Sequence, residues 1–349
     1  MKLPVMPPVE PMLAKSADSV PVGDYLYEPK WDGFRCIVFR DGEEIELGSR
    51  GGKLLTRYFP ELVAALAAAL PPRCVLDGEI VVPSGGRLDF DRLADRIHPA
   101  ESRIKLLSQR TPASFIAFDV LAVGDEDLTT RPFSQRRALL TDLVGEHEQV
   151  HVTRATDDAE LARTWFERFE GAGLDGVVAK PADVKYRPGE RLMVKVKHER
   201  TADAVVGGYR LHKSGPVVGS LMLGLYGEDG VLNYVGGSSA FTMKRREALI
   251  GELAPYLLEE GQPHPWLDAA EGDEHRRPGA LHRWNAGKDT SFVPLRPELV
   301  CEVRYDQLQA DRFRHNARFV RWRPDREASS CSYAQLDVPA AYDLADVLD

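Results

Sequence analysis

The chain has 349 residues, 43% of them hydrophobic, and this size predicts two globular domains with sizeable cores. No apolar run reaches the length of a signal peptide or a membrane span, so we expect a soluble cytoplasmic protein without membrane contact. The formal net charge of −9 excludes coating of nucleic acid by bulk positive charge, but it is compatible with a local basic face.

A β-hairpin is the first clear element. The apolar run 36–40 is followed by an Asp-Gly turn signal and by residues 44–47, which alternate apolar and polar side chains. The motif Lys30-Trp31-Asp32-Gly33 comes directly before the hairpin, so we expect Lys30 at the edge of a sheet. Taken alone, Lys30 is better explained as an ordinary solvated lysine, and only the motifs that follow favour a functional role.

The remainder of the first domain alternates strands with helices. Thr56 is the expected cap of a helix that two prolines end at residue 71. The proline-rich opening up to Asp24 is expected to wrap the surface of this domain. The predicted elements are a glycine-rich loop at 49–52, helix 56–70, strands 74–82 and 114–121, helices 134–143 and 157–170, and strands 173–180 and 191–197.

Charged residues stand at unusual places in these strands. Glu79 has apolar neighbours on both sides, and a buried carboxylate is costly unless it is paired or ligated, so we expect it in a polar site. An edge-strand glutamate that faces water is the alternative. By period two, Arg191, Lys195 and Lys197 share one strand face, which indicates either a bound anion or a solvated edge.

The character of the sequence changes at residues 198–202, which predicts domains at 1–200 and 201–349. Short strands at 204–209, 217–226, 231–235 and 298–305, with a helix at 242–258, predict a small Greek-key barrel. Residues 259–290 are expected to form a loop. A basic stretch follows, with Asp325 as its one acid and with Arg312, Arg314, Arg318, Arg321, Arg323 and Arg326. A solvated basic face is the structural alternative for this stretch.

The combination of these features predicts nucleotidyl transfer. A lysine amine can attack an α-phosphate, cations can neutralise a triphosphate, carboxylates can hold Mg²⁺, and an aromatic face can stack on a base. The chain has neither GxxxxGK[ST] nor GxGxxG after a strand, which excludes a P-loop and a Rossmann site. The four cysteines stand singly and predict reduced thiols without a zinc site.

Six short motifs in order resemble those of the ATP-dependent DNA ligase family, and the resemblance covers nearly the whole chain. The layout is most similar to bacterial ligase C and to the ligase module of ligase D. The motifs are Lys30-Trp31-Asp32-Gly33, Ser49-Arg50-Gly51-Gly52, Asp77-Gly78-Glu79 with Phe118-Asp119, Asp175-Gly176-Val177-Val178, Val194-Lys195-Val196-Lys197, and Arg318 to Asp325. The resemblance implies an α+β nucleotidyltransferase (adenylation) domain, with antiparallel sheets and flanking helices, followed by a β-barrel OB-fold domain.

The resemblance also implies a reaction. The enzyme would use ATP and Mg²⁺, or Mn²⁺, to seal 5′-phosphate/3′-hydroxyl nicks in double-stranded DNA through lysyl-AMP and adenylated DNA. It would act as a monomer in DNA repair, alongside DNA-repair proteins. The implied catalytic residues are Lys30 and Asp32, and the implied metal ligands are Glu79 and Asp175. The implied nucleotide-binding residues are Glu28 and Phe118 at the adenine, with Arg35, Arg50, Glu79, Arg191, Lys195, Lys197, Arg321, Arg323 and Asp325.

Two departures from the family pattern and two alternatives remain open. Asp175 stands where the family usually has glutamate, so its shorter side chain would reach a metal through water. Residues 314–317 do not follow the start of the sixth motif. An RNA ligase or an mRNA-capping-type nucleotidyltransferase shares the lysine and the two-domain plan. A non-catalytic single-strand-binding module would use the basic and aromatic groups but would not need Lys30.

Overall fold

Most of the alternating apolar segments fold into β-strands in a computed structural model, which describes residues 1–267, 276–278, 291–309, 311–336 and 339–348. The chain divides into unit 1, Met1–Lys197 with Pro339–Asp349, and unit 2, His198–Val338. The helices are α1 (Pro60–Ala69), α2 (Phe90–Asp95), α3 (Glu101–Arg110), α4 (Phe133–Leu143), α5 (Ala159–Arg168), α6 (Met243–Leu253) and α7 (Ala345–Leu348). None of these helices has the length and hydropathy needed to span a membrane.

The strands of unit 1 form two main sheets and a short two-stranded ladder. Their bounds are β1 (Leu13–Ala17), β2 (Tyr25–Pro29), β3 (Phe34–Asp41), β4 (Glu44–Ser49), β5 (Arg73–Val81), β6 (Pro83–Ser84), β7 (Arg87–Leu88), β8 (Ser114–Val123), β9 (Glu126–Asp127), β10 (Val150–Val152), β11 (Gly176–Pro181) and β12 (Arg191–Lys197). One sheet has the order β1-β12-β11-β2, and the other has the order β10-β8-β5-β3-β4 with β9 beside β8. The predicted hairpin is β3–β4, and β12 has the predicted bounds.

The two sheets of unit 1 share a core. Ile37 and Phe39 of β3 pack with Met193 of β12 in one buried cluster. On the opposite side of β3, Val38 packs in another cluster with Leu62 of α1. Alternate residues of β3 therefore serve two cores, as period two requires. This arrangement fixes β3 and β5 against the sheet that contains β2, β11 and β12.

Two local predictions in unit 1 differ from the structure. The helix predicted from Thr56 begins at Pro60, because Phe59 has non-helical dihedrals and residues 56–58 form a separate 3₁₀ turn. The Thr56 hydroxyl does not cap the helix; it accepts a hydrogen bond from Leu47 N at 2.9 Å. The opening segment also contains a strand, β1, which pairs in parallel with β12.

Unit 2 is built around one antiparallel sheet. Its strands are β13 (Arg200–His212), β14 (Gly215–Tyr226), β15 (Leu232–Ser238), β16 (Val293–Pro294), β17 (Val300–Tyr305), β18 (Leu308–Gln309), β19 (Arg312–Phe313) and β20 (Arg318–Trp322). The sheet order is β15-β14-β13-β17-β20, with β16 beside β13, while β18 and β19 form a separate ladder. Of the predicted loop, residues 268–275 and 279–290 lie outside the described residues.

The barrel predicted for unit 2 is not closed by a strand ladder. Within the described residues no pairing joins β15 to β20. Two hydrogen bonds link these edges instead, from Ala317 N to Gly237 O at 2.9 Å and from Phe319 N to Ser238 Oγ at 3.1 Å. The expected barrel is therefore an open sheet within the described residues. Its two edge strands, β15 and β20, are joined by these hydrogen bonds and not by a strand ladder.

The C-terminal segment, residues 339–348, packs on unit 1, although the sequence predicts one second domain over 201–349. Leu344 and Val347 are buried with Trp165 and Phe169. The Tyr342 ring lies 5.3 Å from the Phe169 ring, and Leu344 N donates to Gly86 O at 2.8 Å. The chain therefore passes from unit 1 to unit 2 and returns to unit 1. The sequence does not predict this return, because the C-terminal segment is short and has no hydrophobic periodicity.

Candidate active site

Two glycines allow Lys30 and Asp175 to stand side by side at one sheet edge. Lys30 N donates to Gly176 O at 2.8 Å, and Asp175 N donates to Lys30 O at 2.9 Å. A Cβ on Gly176, which has φ +134°, would lie 2.0 Å from Val196 O, and one on Gly33 would lie 2.1 Å from Ile80 O. Both positions therefore exclude side chains. The backbone can thus bring the motif lysine and the motif aspartate together.

Lys30, Asp175 and Lys197 form a charged cluster at this edge. Lys30 Nζ pairs with Asp175 Oδ2, and Lys197 Nζ lies 2.7 Å from the same oxygen. The Asp175 side chain is 5% exposed, whereas the two lysines are 20% and 26% exposed. Burial by itself would raise the pKa of Asp175, but the two ammonium groups outweigh it and hold that pKa well below its usual range. Asp175 is thus an ionised carboxylate that orients the lysine.

Glu79 and Arg35 face each other across the β3–β5 ladder beside this cluster. Arg35 binds Asp77 through two hydrogen bonds of 2.6 Å, and the fully buried Asp77 also accepts from Tyr186 Oη at 2.7 Å. Burial raises the pKa of Glu79 to about 7, a larger effect than the lowering by Arg35 and Lys30. The sequence prediction of a polar site around Glu79 therefore has a structural basis.

A second buried charge pair lies between β2 and β11. Lys180 Nζ binds Glu28 Oε2 at 2.7 Å and donates to Phe118 O at 3.1 Å. Glu28 Oε1 has no hydrogen-bond partner in the described part of the chain, and Arg137 Nε lies 3.8 Å from it. Burial raises the pKa of Glu28 although Lys180 and Arg137 act against it. Glu28 is therefore an ionisable acceptor with one oxygen that has no hydrogen-bond partner within the described residues.

The Phe118 ring forms a wall of the same region. Arg35 Cζ lies 4.4 Å and Lys180 Nζ 4.6 Å from its centroid, both over the ring. Phe118 is 7% exposed. A base can therefore stack on Phe118 only after one of these cations moves.

The other predicted residues of unit 1 lie at different distances from the cluster. Asp32 follows Lys30 and is close enough to Glu79 to raise its pKa. Arg50 lies on the exposed turn after β4. Burial, Lys197 and Lys30 lower the pKa of Lys195, and Arg50 adds to this effect. These side chains therefore share one electrostatic environment with Lys30.

Arg191 is separate from that environment. It begins β12, six residues before Lys197, and is exposed with a contact of 3.4 Å to Ala14 O. At about 3.3 Å per residue, the two positions are roughly 20 Å apart along the strand. The structure does not bring Arg191 to the Lys30 cluster.

The predicted residues of unit 2 form their own ion-pair network. Arg321 Nε binds Glu302 Oε2 at 2.7 Å. Arg323 binds Asp325 at 2.7 Å and Asp203 at 2.9 Å. The Arg323 pairing lowers the pKa of Asp325 to about 2. These side chains lie largely at the surface and hold one another.

The carboxylates near Lys30 fit a divalent cation of the magnesium type. The described residues contain no group of three or more His, Cys, Asp or Glu side chains that could hold a metal. Glu79 on β5 and Asp175 immediately before β11 supply hard oxygen donors from two separate segments. Mg²⁺ often takes only one or two protein carboxylates and completes its shell with water and substrate phosphates. Burial also disfavours the charge of Glu79, so a cation there would favour its ionised form.

Sequence reasoning assigned no role to three residues that build the site. Lys180 pairs with Glu28, Asp77 fixes Arg35, and Arg137 lies beside Glu28. A signal existed for Lys180, because a lysine that ends an apolar strand is expensive to bury without a partner. The partners themselves cannot be read from the sequence, since each pair joins distant segments.

Most of the chain matches two protein families. Residues 11–197 match the family described as ATP dependent DNA ligase domain, and residues 214–326 match the ATP dependent DNA ligase C terminal region. DNA ligase C of Mycobacterium tuberculosis (strain ATCC 25618 / H37Rv) is 58% identical over 100% of this chain and 99% of its own length. DNA ligase C2 of Mycolicibacterium smegmatis (strain ATCC 700084 / mc(2)155) is 59% identical over 97% of each.

A solved structure gives the same result for the fold. A Lig E DNA ligase structure, studied for DNA binding with a minimal scaffold, has a TM-score of 0.57 and covers 90% of this chain and 99% of its own. Its sequence identity is 19%, so this likeness concerns the fold alone. The expected fold, a nucleotidyltransferase domain followed by an OB-fold domain, is thereby confirmed, with an open rather than closed sheet in the second.

Proposed function

Because the chain belongs to the ATP-dependent DNA ligase family, we propose that Lys30 takes AMP from ATP and passes it to the 5′-phosphate of a DNA nick. The activity itself is ATP-dependent DNA ligation. The observation that carries the assignment of Lys30 is its ion pair with Asp175 beside Lys197. This places a lysine amine, a carboxylate and a second cation together.

The first step begins from that ion pair. Lys30, whose side chain is 20% exposed, must release a proton to water and leave Asp175 before its Nζ can attack the α-phosphorus of ATP. The P–N bond then forms, the bond to the bridging oxygen breaks, and pyrophosphate leaves. Lys197 remains on Asp175 Oδ2, so the carboxylate keeps a partner when Lys30 moves. The site thus separates the nucleophile from its counter-ion without leaving a buried charge unpaired.

The nucleotide is proposed to bind with its base at Glu28 and Phe118. The open Oε1 of Glu28 supports this, because it can accept a hydrogen bond from the adenine amine. We assign Arg35 as the cation that moves off the Phe118 ring, since its side chain is 22% exposed and that of Lys180 is 4% exposed. Asp77 would then lose its pair with Arg35 but keep the hydrogen bond from Tyr186 Oη. The phosphate oxygens of ATP are negatively charged, and cationic side chains bind them strongly. The cations proposed for this role are Arg50, Lys195 and Lys197. Asp32 would orient groups near Lys30.

A divalent cation, Mg²⁺ or Mn²⁺, is proposed at Glu79 and Asp175. When bound, it supplies neutralisation of the phosphate charge that builds up during transfer. Glu79 on β5 and Asp175 immediately before β11 would hold such an ion. The shorter side chain of Asp175 would reach such an ion through water. Chelation should therefore abolish self-adenylation.

Charged residues of unit 2 are proposed to act on the pyrophosphate leaving group. Arg321, Arg323 and Asp325 would address pyrophosphate, and the side chains of Arg321 and Asp325 are 61% and 59% exposed. Arg191 is proposed to contact DNA phosphates and not those of ATP, because it lies at the end of β12 far from the Lys30 cluster. We propose that the enzyme is a cytoplasmic monomer that seals nicks left by DNA repair, together with repair proteins. When repair synthesis has filled a gap in one strand, a nick remains, and ligation seals it.

Self-adenylation is the direct test. The protein is incubated with α-labelled ATP and Mg²⁺, denatured, and examined for label on the polypeptide. We expect acid-labile label on wild-type protein and on Lys185→Ala, which alters an exposed lysine outside the site. We expect none on Lys30→Ala. A chase with nicked DNA should release the label as AMP and yield a sealed strand.

Other outcomes identify the alternatives. Label that appears from GTP and not from ATP would favour a capping-type enzyme. Transfer to nicked RNA and not to nicked DNA would favour an RNA ligase. Label that persists in Lys30→Ala would refute the assignment of the nucleophile. Mass determination by light scattering with and without DNA tests the monomer.

A further inference from the structure

Tyr186 is a buried tyrosine whose hydroxyl is hydrogen-bonded on both sides. It lies between β11 and β12, outside the six motifs, and it is 4% exposed. It packs with Met12 and Met193 in the cluster that the two sheets of unit 1 share. Met12 N donates to Tyr186 Oη at 3.3 Å, and Tyr186 Oη donates to Asp77 Oδ2 at 2.7 Å. Because the hydroxyl oxygen accepts from the backbone, its own proton is directed at the carboxylate.

Asp77 is a fully buried carboxylate that depends on its partners. Its side chain is 0% exposed, and Arg35 donates to both of its oxygens, from Nε to Oδ1 and from Nη2 to Oδ2, at 2.6 Å. Tyr186 adds a third hydrogen bond. An ionised carboxylate in such a place is costly to bury without hydrogen bonds and a counter-ion. While Arg35 is paired with Asp77, its guanidinium already satisfies both oxygens.

Arg35 also covers the Phe118 ring, with its Cζ 4.4 Å from the ring centroid. In the proposed function, Arg35 moves off this ring when a base stacks there. This movement takes two hydrogen bonds away from Asp77, and their loss weakens nucleotide binding. A hydrogen bond to an ionised carboxylate is stronger than one between neutral groups, so the bond from Tyr186 reduces this loss. The affinity for a nucleotide therefore depends on a tyrosine that acts through Asp77.

We propose that Tyr186 is a positioning residue for nucleotide binding, which holds the Asp77 carboxylate while Arg35 exchanges from Asp77 to the nucleotide. This inference rests on the proposed function, in which Arg35 is the cation that moves. While Arg35 is paired, Asp77 has two charge-assisted hydrogen bonds, and the bond from Tyr186 contributes little. Once Arg35 has moved, the bond from Tyr186 remains on the buried carboxylate. The hydroxyl therefore stabilises the nucleotide-bound protein more than the free protein.

The test measures nucleotide binding without chemistry, in the full-length protein with Mg²⁺. The ligand is α,β-methylene-ATP, in which carbon joins the α- and β-phosphorus atoms so that Lys30 cannot expel pyrophosphate, and isothermal titration calorimetry gives its Kd. In Tyr186→Phe we expect the Kd to rise about tenfold or more, because the carboxylate that Arg35 leaves has lost this donor. In self-adenylation, the ATP concentration for half-maximal rate should rise by a similar factor, while the rate at saturating ATP should be unchanged.

Tyr27→Phe is the matched control for this variant. Tyr27 is fully buried in unit 1, and its hydroxyl donates to Pro21 O at 2.7 Å. Both variants remove the hydroxyl of a buried tyrosine, so we expect similarly small losses of stability in thermal unfolding. Only Tyr186→Phe should bind the ATP analogue more weakly than wild type. This difference separates a role in nucleotide binding from a structural role.

Asp77→Asn shows whether the effect depends on the charge of Asp77. An amide leaves no buried charge behind when Arg35 moves, so adding Tyr186→Phe to Asp77→Asn should change the Kd less than about twofold. If thermal unfolding shows that Asp77→Asn does not fold, Arg35→Gln provides the same test, because no guanidinium then leaves the carboxylate.

Other results would overturn the proposal. An unchanged Kd in Tyr186→Phe would leave Tyr186 a structural role, and so would an equal rise of the Kd in Tyr27→Phe. A rise that persists in full beside Asp77→Asn would mean that Tyr186 does not act through this carboxylate. Wild-type affinity in Arg35→Gln would instead refute the part assigned to Arg35 in the proposed function.

Discussion

The ion pairs of unit 1 and unit 2 use the same residue types in opposite environments. In unit 1, the side chains of Arg136 and Asp119 are 0% and 3% exposed and form two hydrogen bonds, of 2.7 Å and 3.0 Å. In unit 2, Arg321 is 61% exposed and binds Glu302, which is 17% exposed. A buried pair fixes geometry because breaking it strands a charge, whereas a surface pair exchanges easily with water. Unit 1 thus holds fixed charges, and unit 2 presents exchangeable ones.

The largest stability effect should come from the buried pair. Asp119→Ala leaves Arg136 charged inside unit 1, so we expect the free energy of unfolding to fall by about 3–5 kcal/mol. Urea unfolding followed by circular dichroism measures this change. The matched variant Glu302→Ala removes an acid from the surface pair of unit 2 and should cost far less. Equal losses in the two variants would break the contrast between the units.

The C-terminal segment provides a second test of what burial contributes to unit 1. Leu344 is 3% exposed in the cluster with Trp165 and Phe169. Leu344→Ala should lower the free energy of unfolding by about 2–4 kcal/mol, from lost burial and the remaining cavity. Asp346→Ala, an exposed change in the same segment, should be nearly neutral. Limited proteolysis should cut Leu344→Ala first near the C-terminus; cleavage as slow as in wild type would mean that the segment does not depend on this contact.

Glu79 should show that part of unit 1 is organised at the expense of stability. Its pKa in the folded protein is about 7, above the ordinary 4.5, so the folded state binds a proton that the unfolded chain has released. The resulting stability is complete below pH 4.5 and is lost as the pH rises through 7. Glu79→Gln should therefore match wild type at low pH and be about 1–2 kcal/mol more stable above about pH 8.

This comparison is made by thermal unfolding in buffer with a chelator, so that no metal ion compensates the charge of Glu79. The same variant should ligate poorly. A stability difference that does not change with pH would contradict the burial of this carboxylate.

The smallest stability effect should come from Arg321, although its effect on activity is large. Arg321→Ala should change the free energy of unfolding by no more than about 0.5 kcal/mol, because an exposed pair contributes little. Self-adenylation should slow about 100-fold if the guanidinium neutralises the leaving pyrophosphate. Single-turnover labelling with ATP measures this rate. A variant that is destabilised and fully active would reverse our view of unit 2.

Local patterns in the sequence predicted several elements well. The turn at Asp41-Gly42 predicted the β3–β4 hairpin, and strict alternation predicted β12 with its observed bounds. The start of α1 was wrong, since Thr56 bonds to Leu47 and does not cap the helix. The sequence around Thr56 does not determine which backbone N–H its hydroxyl accepts from. The choice depends on the contact with Leu47 of β4, which is made only in the folded protein.

The sequence by itself determined the motif lysine, the glycines beside it and the strands that carry them, because turns and alternation depend on neighbouring residues. It also determined that Glu79 needed a polar environment. Only the tertiary structure decided that Asp175 holds two lysines, that Lys180 holds Glu28, and that the C-terminal segment returns to unit 1. Each of these contacts joins segments that are far apart in the chain. Such a contact stabilises the protein only after the sheets have brought its partners together.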